Sequence, residues 1–191
     1  MLGSRHAQNF ARRQKGSMAV EMALFAFFFS TLFLGAFEVP RFLLIGQKLE
    51  RASASMADLV AQIDPALGNV AGKMDDLFVA AEQLLRPYEI GANGAIVISS
   101  IGNQDGNGAK VLWQRKGAGT MTVASHIGTV GSTATLPSGL IVRTGENIII
   151  AEVFFRYEPL FGSIIYKTHE LYTLSFTRPR FSNLTSAPTY Q

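Results

Sequence analysis

The sequence predicts an α+β fold in which helices come first and an antiparallel sheet follows. An uncharged apolar run from Met22 to Phe37 is long enough to form most of a membrane-spanning helix. Between residues 45 and 86, apolar side chains recur at steps of three and four, which is typical of amphipathic helices. From Ala95 onward the pattern changes to the two-residue alternation of strands.

Length and composition agree with this order of elements. The chain has 191 residues, 48% of them hydrophobic, with a mean hydropathy of +0.20. That length suits one domain with an appendage. We divide the chain into a basic cytoplasmic leader (1–16), a transmembrane helix (17–41), an extracytoplasmic α+β domain (42–181) and a flexible tail (182–191).

The charge distribution predicts how the apolar helix is oriented. A helix from Ser17 to Phe37 would span roughly 30 Å, about the thickness of a bilayer core. Residues 1–16 hold four cations and no acid, so the positive-inside rule places them in the cytoplasm. The remaining chain has a net charge of −1, which argues against nucleic acid as a partner. The chain has no cysteine, which excludes disulfides, thiolate zinc sites and cysteine nucleophiles.

One acid, Glu21, lies at the start of the apolar run, where a carboxylate is costly. A plain uncleaved anchor leaves this residue unexplained. A cleaved secretory signal would end in small residues at a cut site, and "STLFLGAFEVPRF" has no clear ending of that kind.

The stretch "RRQKGSMAVE" resembles the type IV prepilin leader: basic residues, a glycine, a small residue, and a glutamate five positions after the glycine. The resemblance implies that a prepilin peptidase cuts between Gly16 and Ser17 on the cytoplasmic side of the helix. It also implies that Glu21 neutralises the terminal amine of a neighbouring subunit, so that two charges are buried as a hydrogen-bonded pair.

The longer stretch "GSMAVEMALFAFFFSTLFLGAFEVPRFLL" is similar to the TadE-like minor pseudopilins of the tight-adherence (Tad) pilus. Glu38 and Arg41 match the family's acid and base near the helix end, although both could simply mark where the helix reaches water. A weaker similarity lies in "ENIIIAEVFFRYEPLFG". The resemblance implies a single-pass protein of the bacterial inner membrane that helps to initiate or assemble an adhesive pilus. Its implied partners are the peptidase, other pilin and pseudopilin subunits, and the inner-membrane assembly platform.

Two amphipathic helices are predicted after the membrane segment. Pro40 should kink the first, and Asp64-Pro65 should end it. The second should run from about Val70 to Arg86 and stop before Pro87. The predicted inward residues are Ile45, Leu49, Ala52, Met56, Leu59 and Ile63 in the first helix, and Met74, Leu77, Phe78, Ala81, Leu84 and Leu85 in the second.

The strands follow. "AIVISSI" and "KVLWQRK" flank "GNQDGNG" and predict a hairpin, with Val111, Trp113 and Arg115 on one face of its second strand. Residues 117–139 are rich in Gly, Ser and Thr and should be mostly loop, with room for one short strand. Two later strands have predicted faces made of Ile149, Ala151, Val153, Phe155 and Tyr157, and of Tyr172, Leu174 and Phe176.

No pattern predicts catalysis, a cofactor or a metal. "NQDGNG" resembles the opening of a calcium loop, but Gln114 occupies the place of the required acid, and a hairpin turn explains the same residues. His6, His126 and His169 are not spaced as metal ligands. The aromatic residues Phe154, Phe155, Tyr157 and Phe161 could form either a partner surface or ordinary core. Two alternatives stay open: a signal-anchored extracytoplasmic binding module with no pilus role, and a membrane-tethered hydrolase.

Overall fold

The computed structural model describes residues 3–160, 168–181 and 183–189, with side chains described from Gly16 onward. The chain divides into two compact units, Met1–Phe42 and Leu43–Gln191. The fold is α+β and pilin-like, as predicted: a long apolar N-terminal helix, a second helix and a four-stranded antiparallel sheet. The elements are α1 (Gly3–Ala61), α2 (Val70–Leu85), β1 (Gly94–Gly102), β2 (Lys110–Gly117), β3 (Asn147–Tyr157) and β4 (His169–Thr177), with single 3-10 turns at Pro65–Leu67 and Gly91–Asn93.

Helix α1 begins in the first unit and continues through Pro40 into the second. In the second unit it buries the predicted stripe of apolar side chains. The prediction is wrong for Leu59, which is 36% exposed while its neighbour Val60 is fully buried. The helix ends at Ala61, and the Asp64 carboxylate then accepts a hydrogen bond from the Ala66 amide at 2.9 Å, which confirms the predicted break.

Helix α2 has nearly the predicted bounds. Its N-cap, Asn69, adopts a left-handed conformation with φ of 47°, and its side-chain oxygen accepts a hydrogen bond from the Gly72 amide at 3.2 Å. Leu84 was predicted to face inward but is exposed, because the buried stripe of α2 is narrower than the predicted one and leaves Leu84 outside it. The stripe consists of Ala71, Met74, Phe78, Ala81 and Leu85.

The strands form one antiparallel sheet in the order β2-β1-β3-β4, and the predicted hairpin is confirmed as β1 and β2. The predicted face of β2 is wrong for Val111. Ser100 pairs with Trp113 and Ile101 pairs with Val111, so Leu112 is an extra residue that forms a β-bulge. The bulge moves Val111 to the face opposite Trp113.

The two faces of the sheet are covered differently. On one face, Ser53 of α1 lies 2.8 Å from Ser175 of β4, and Arg115 of β2 pairs with Asp75 of α2 at 2.6 Å. We call this the helix face. Ala151 of β3 is the pairing partner of Ser175, and paired residues point to the same side of a sheet, so the predicted face of β3 belongs to the helix face. On the opposite face, the irregular segment 118–146 covers a second core, consistent with the predicted loop. That core consists of Ile101, Val111, Ile127, Val142, Ile148 and Ile150.

The flexibility predicted for the tail stays a prediction, and its described residues make specific contacts. Leu184 is buried, and its amide donates to Asn147 Oδ1 at 3.1 Å. Its carbonyl accepts hydrogen bonds from Ser100 Oγ at 2.7 Å and from Trp113 Nε1 at 2.8 Å. Residues of β1, β2 and β3 therefore hold the tail at one point.

Candidate functional site in the N-terminal helix

The N-terminal helix exposes its apolar side chains. Within the described residues, one helix, Gly16–Ala61, is long and apolar enough to cross a membrane, and its most apolar window contains no buried residue. Phe27 is 76% exposed, and the large side chains around it are similarly exposed. An apolar surface of this extent marks contact with lipid or with another protein. The chain therefore has the features of a single-pass membrane anchor.

The hydroxyl groups within this apolar segment are satisfied inside the helix. Ser30 Oγ donates to the Ala26 carbonyl at 2.5 Å, and Thr31 Oγ1 donates to the Phe27 carbonyl at 3.0 Å. Both bonds reach back one helical turn, so neither hydroxyl requires water. This arrangement suits a segment surrounded by lipid.

The structure brings two predicted site residues together at the start of the apolar segment. Ser17 Oγ donates to Glu21 Oε1 at 3.2 Å, one helical turn away, and both residues are exposed. A Cβ added to Gly16 would meet no atom within 4 Å. Among the residues whose side chains are described, packing therefore gives no reason for glycine at position 16.

Glu38 and Arg41 lie three positions apart on α1, at the end of the first unit. Both side chains are half-buried. Their spacing places them on neighbouring turns of one helix side. Their role as an interfacial charge pair stays a prediction.

A polar cluster in the second unit was not found from the sequence. Glu152, fully buried on β3, accepts hydrogen bonds from Ser125 Oγ at 2.5 Å, the His126 amide at 2.9 Å and the Tyr172 hydroxyl at 3.0 Å. Burial, together with the charge and hydrogen bond of Glu152, raises the pKa of Tyr172 well above its ordinary value. The only sequence signal was a lone acid within "IIIAEVFF". The contacts of Glu152 with Ser125 and His126 attach the 118–146 segment to the sheet.

Three other residues considered as candidates, Asp105, Gln114 and His126, make contacts that support the fold. Asp105 of the "NQDGNG" turn lies 3.7 Å from Lys110, and Gln114 Nε2 donates to Ser99 Oγ and the Gly128 carbonyl. The His126 ring packs 4.2 Å from that of Tyr172. No group of three potential metal-binding side chains occurs in the part of the chain that the structure describes.

Three of the four aromatic residues considered as a partner surface are part of the core. Phe154, Phe155 and Tyr157 are buried. Phe155 also packs against Tyr88, with ring centroids 6.5 Å apart. Phe161 lies outside the described residues.

Comparison with family models, curated proteins and solved structures finds no match to this chain.

Proposed function

We propose that this chain is a TadE-like minor pseudopilin that helps to initiate or assemble a Tad-type pilus. The observation that carries the proposal is the spacing from Gly16 to Glu21, directly before an apolar helix whose side chains are exposed. The proposed activity is association between subunits, without catalysis by this chain.

The first proposed step is hydrolysis of the Gly16–Ser17 peptide bond by a prepilin peptidase. Hydrolysis gives a carboxylate on Gly16 and a free α-ammonium on Ser17. The open surroundings of Gly16 support this step, since no packing contact with the described side chains requires glycine there. The four cations of the leader would keep the cleavage site on the cytoplasmic side.

The second proposed step is pairing between Glu21 and the Ser17 ammonium of a neighbouring subunit. A lone carboxylate and a lone ammonium are each costly in lipid, and a hydrogen-bonded pair lowers that cost. The Ser17 hydroxyl of the same chain occupies Oε1, one of the two carboxylate oxygens. Glu21 could thus orient its own N-terminus and bind that of a neighbour.

In this proposal the protein crosses the bacterial inner membrane once, with its second unit on the extracytoplasmic side. Its partners are the peptidase, other pilin and pseudopilin subunits and the inner-membrane assembly platform. The exposed apolar helix supports membrane insertion and also offers the surface on which other helices would pack.

Intact-mass measurement of the native protein tests the proposal. We expect a mature chain that begins at Ser17. A native protein that retains residues 1–16 would overturn the proposal and favour the signal-anchored binding module.

A substitution tests the role of the acid separately from cleavage. Glu21→Ala should leave processing largely intact and should reduce cross-linking of the protein to other pilin subunits. Glu50→Ala, at an exposed acid of the second unit, is the matched control and should change neither. Normal subunit cross-linking by the Glu21→Ala variant would contradict the pairing role.

A further inference from the structure

The sequence contains two asparagine–glycine pairs, Asn93-Gly94 and Asn107-Gly108, which lie in different surroundings. In such a pair the amide nitrogen of the glycine can attack the side-chain carbonyl of the asparagine, because glycine has no Cβ to obstruct the approach. The attack requires the main chain to rotate at the asparagine. The rate of this reaction therefore depends on how firmly the structure holds the two residues.

Asn93 and Gly94 are held by their neighbours. Asn93 is the last residue of a 3-10 turn, and Gly94 is buried as the first residue of β1, where it pairs with Phe155. The Gly94 carbonyl accepts a hydrogen bond from the Met121 amide at 3.1 Å. A Cβ added to Gly94 would lie 2.9 Å from the Phe154 carbonyl oxygen, so little space surrounds this residue. Rotation of the Asn93–Gly94 peptide therefore requires the end of β1 to open.

Asn107 and Gly108 are both exposed, in the turn between β1 and β2. The pairing of these strands ends at Gly102 and Lys110, so neither residue of the turn belongs to the ladder. Gly108 has a φ of 103°, and a Cβ added to it would meet no atom within 4 Å. Within the described residues, its amide donates to no backbone carbonyl. The described contacts therefore leave the Asn107–Gly108 peptide able to rotate.

We propose that Asn107 is a site of spontaneous deamidation in the folded protein. The Gly108 nitrogen loses its proton to hydroxide or water and forms a bond to Cγ of Asn107. The bond from Cγ to Nδ2 breaks, and the nitrogen leaves as ammonia after taking up a proton. Water then hydrolyses the cyclic imide. Cleavage between the ring nitrogen and Cγ gives aspartate, and cleavage between the ring nitrogen and the main-chain carbonyl carbon gives isoaspartate.

The reaction changes the charge of the turn. Both products carry a carboxylate at position 107, two residues from Asp105, whose own carboxylate lies 3.7 Å from the Lys110 ammonium. Deamidation therefore lowers the net charge of the protein by one at an exposed site. In the isoaspartate product, the main chain of the turn also gains one atom. The reaction involves no partner protein, so the proposal is independent of the proposed pilus function.

Incubation of the full-length protein in detergent micelles, at mildly alkaline pH and in water enriched in heavy oxygen, tests the proposal. Peptide mapping by mass spectrometry should show that Asn107 is converted roughly tenfold faster than Asn93, or more, in the folded protein. The new carboxylate should contain one heavy oxygen atom, which distinguishes reaction during the incubation from earlier conversion. An isoaspartyl methyltransferase should label the isoaspartate product.

Unfolding the protein is the control for the role of the fold. Both pairs are followed by alanine, so in denaturant Asn93 and Asn107 should react at similar rates. The rate at Asn107 should change little on unfolding, whereas the rate at Asn93 should rise. A rate at Asn107 no higher than that at Asn93 in the folded protein would overturn the proposal. So would a rate at Asn107 that is roughly tenfold lower in the folded protein than in denaturant.

An amide-retaining variant assigns the chemistry to one side chain. Asn107→Gln should abolish conversion at the turn, because glutamine forms the larger ring slowly, and it should leave the rate at Asn93 unchanged. The gain of negative charge, followed by ion-exchange chromatography, should be lost in this variant. Isomerisation of Asp105, which precedes Gly106, changes neither mass nor charge and does not interfere. An unchanged gain of negative charge in the Asn107→Gln variant would place the reaction elsewhere and overturn the proposal.

Discussion

The two parts of helix α1 use apolar residues in opposite ways. In residues 16–42, most large apolar side chains are exposed, on all sides of the helix, whereas residues 43–61 bury a single stripe that includes Ile45 and Leu49. One helix therefore combines a segment suited to an apolar solvent with one suited to a protein core. The two segments differ more in how their apolar residues are distributed around the helix than in how many apolar residues they contain.

Polar side chains show the same contrast. Ser30 satisfies its hydroxyl within its own helix, at the Ala26 carbonyl. Ser53 bonds to the Glu50 carbonyl and also reaches Ser175 on β4, more than a hundred residues away. Polar groups of the first unit can thus be satisfied before any tertiary fold forms, while those of the second unit help to define it.

The largest expected difference between the two parts comes from removing one buried side chain. Leu49 is 2% exposed, so Leu49→Ala should lower the free energy of unfolding of the second unit by roughly 2–5 kcal/mol. Leu32→Ala, at a 55% exposed position of the first unit, should leave that free energy unchanged. Denaturant titration in micelles, followed by the fluorescence of buried Trp113, measures both. Equal losses of unfolding free energy in the Leu49→Ala and Leu32→Ala variants would contradict the proposed difference between the two parts of α1.

A smaller effect should follow from removing a polar side chain. Asn147 bonds to Ser100 Oγ at 2.6 Å, the Ile101 carbonyl at 3.0 Å and the Leu184 amide at 3.1 Å. Asn147→Ala leaves buried polar groups without partners and should cost about 1–3 kcal/mol.

Thr31→Val is the matched control in the first unit, where the hydroxyl bonds only to its own helix in the described contacts. It should change the unfolding midpoint of the second unit by no measurable amount. Limited proteolysis should also show that Asn147→Ala, but not Thr31→Val, exposes the C-terminal tail. A tail that stays protected in the Asn147→Ala variant would show that other contacts hold it.

The smallest expected effect concerns alkaline pH. The pKa of Tyr172 is raised in the folded protein, so its neutral form contributes stability that is complete below the unfolded pKa of about 10. That contribution should decline as pH rises above this value, because the unfolded chain loses the proton first. Tyr172→Phe should remove this part of the pH dependence, whereas Tyr88→Phe should retain it. Unfolding midpoints measured across the alkaline range test the difference.

Periodicity predicted both helices, the hairpin and the order of elements because each depends on residues close in sequence. Leu59 and Leu84 were misplaced since they lie at the margins of their stripes, where packing partners decide burial. Val111 was misplaced because a bulge depends on the opposing strand. Gly16 and Glu21 were selected by spacing alone and their roles stay predictions, to which the structure adds the contact between Ser17 and Glu21. The contacts of Glu152 and Leu184 join distant segments, and no local pattern encodes them.

The attachment of the 118–146 segment has a consequence for the entropy of folding. Glu152 holds it at Ser125 and His126, the β2 edge holds it near Ser132, and Asn103 holds the Val142 carbonyl at 3.1 Å. The segment therefore behaves as several short closed loops. Because the cost of closing a loop rises only slowly with its length, residues can be inserted between these attachment points at little expense to stability.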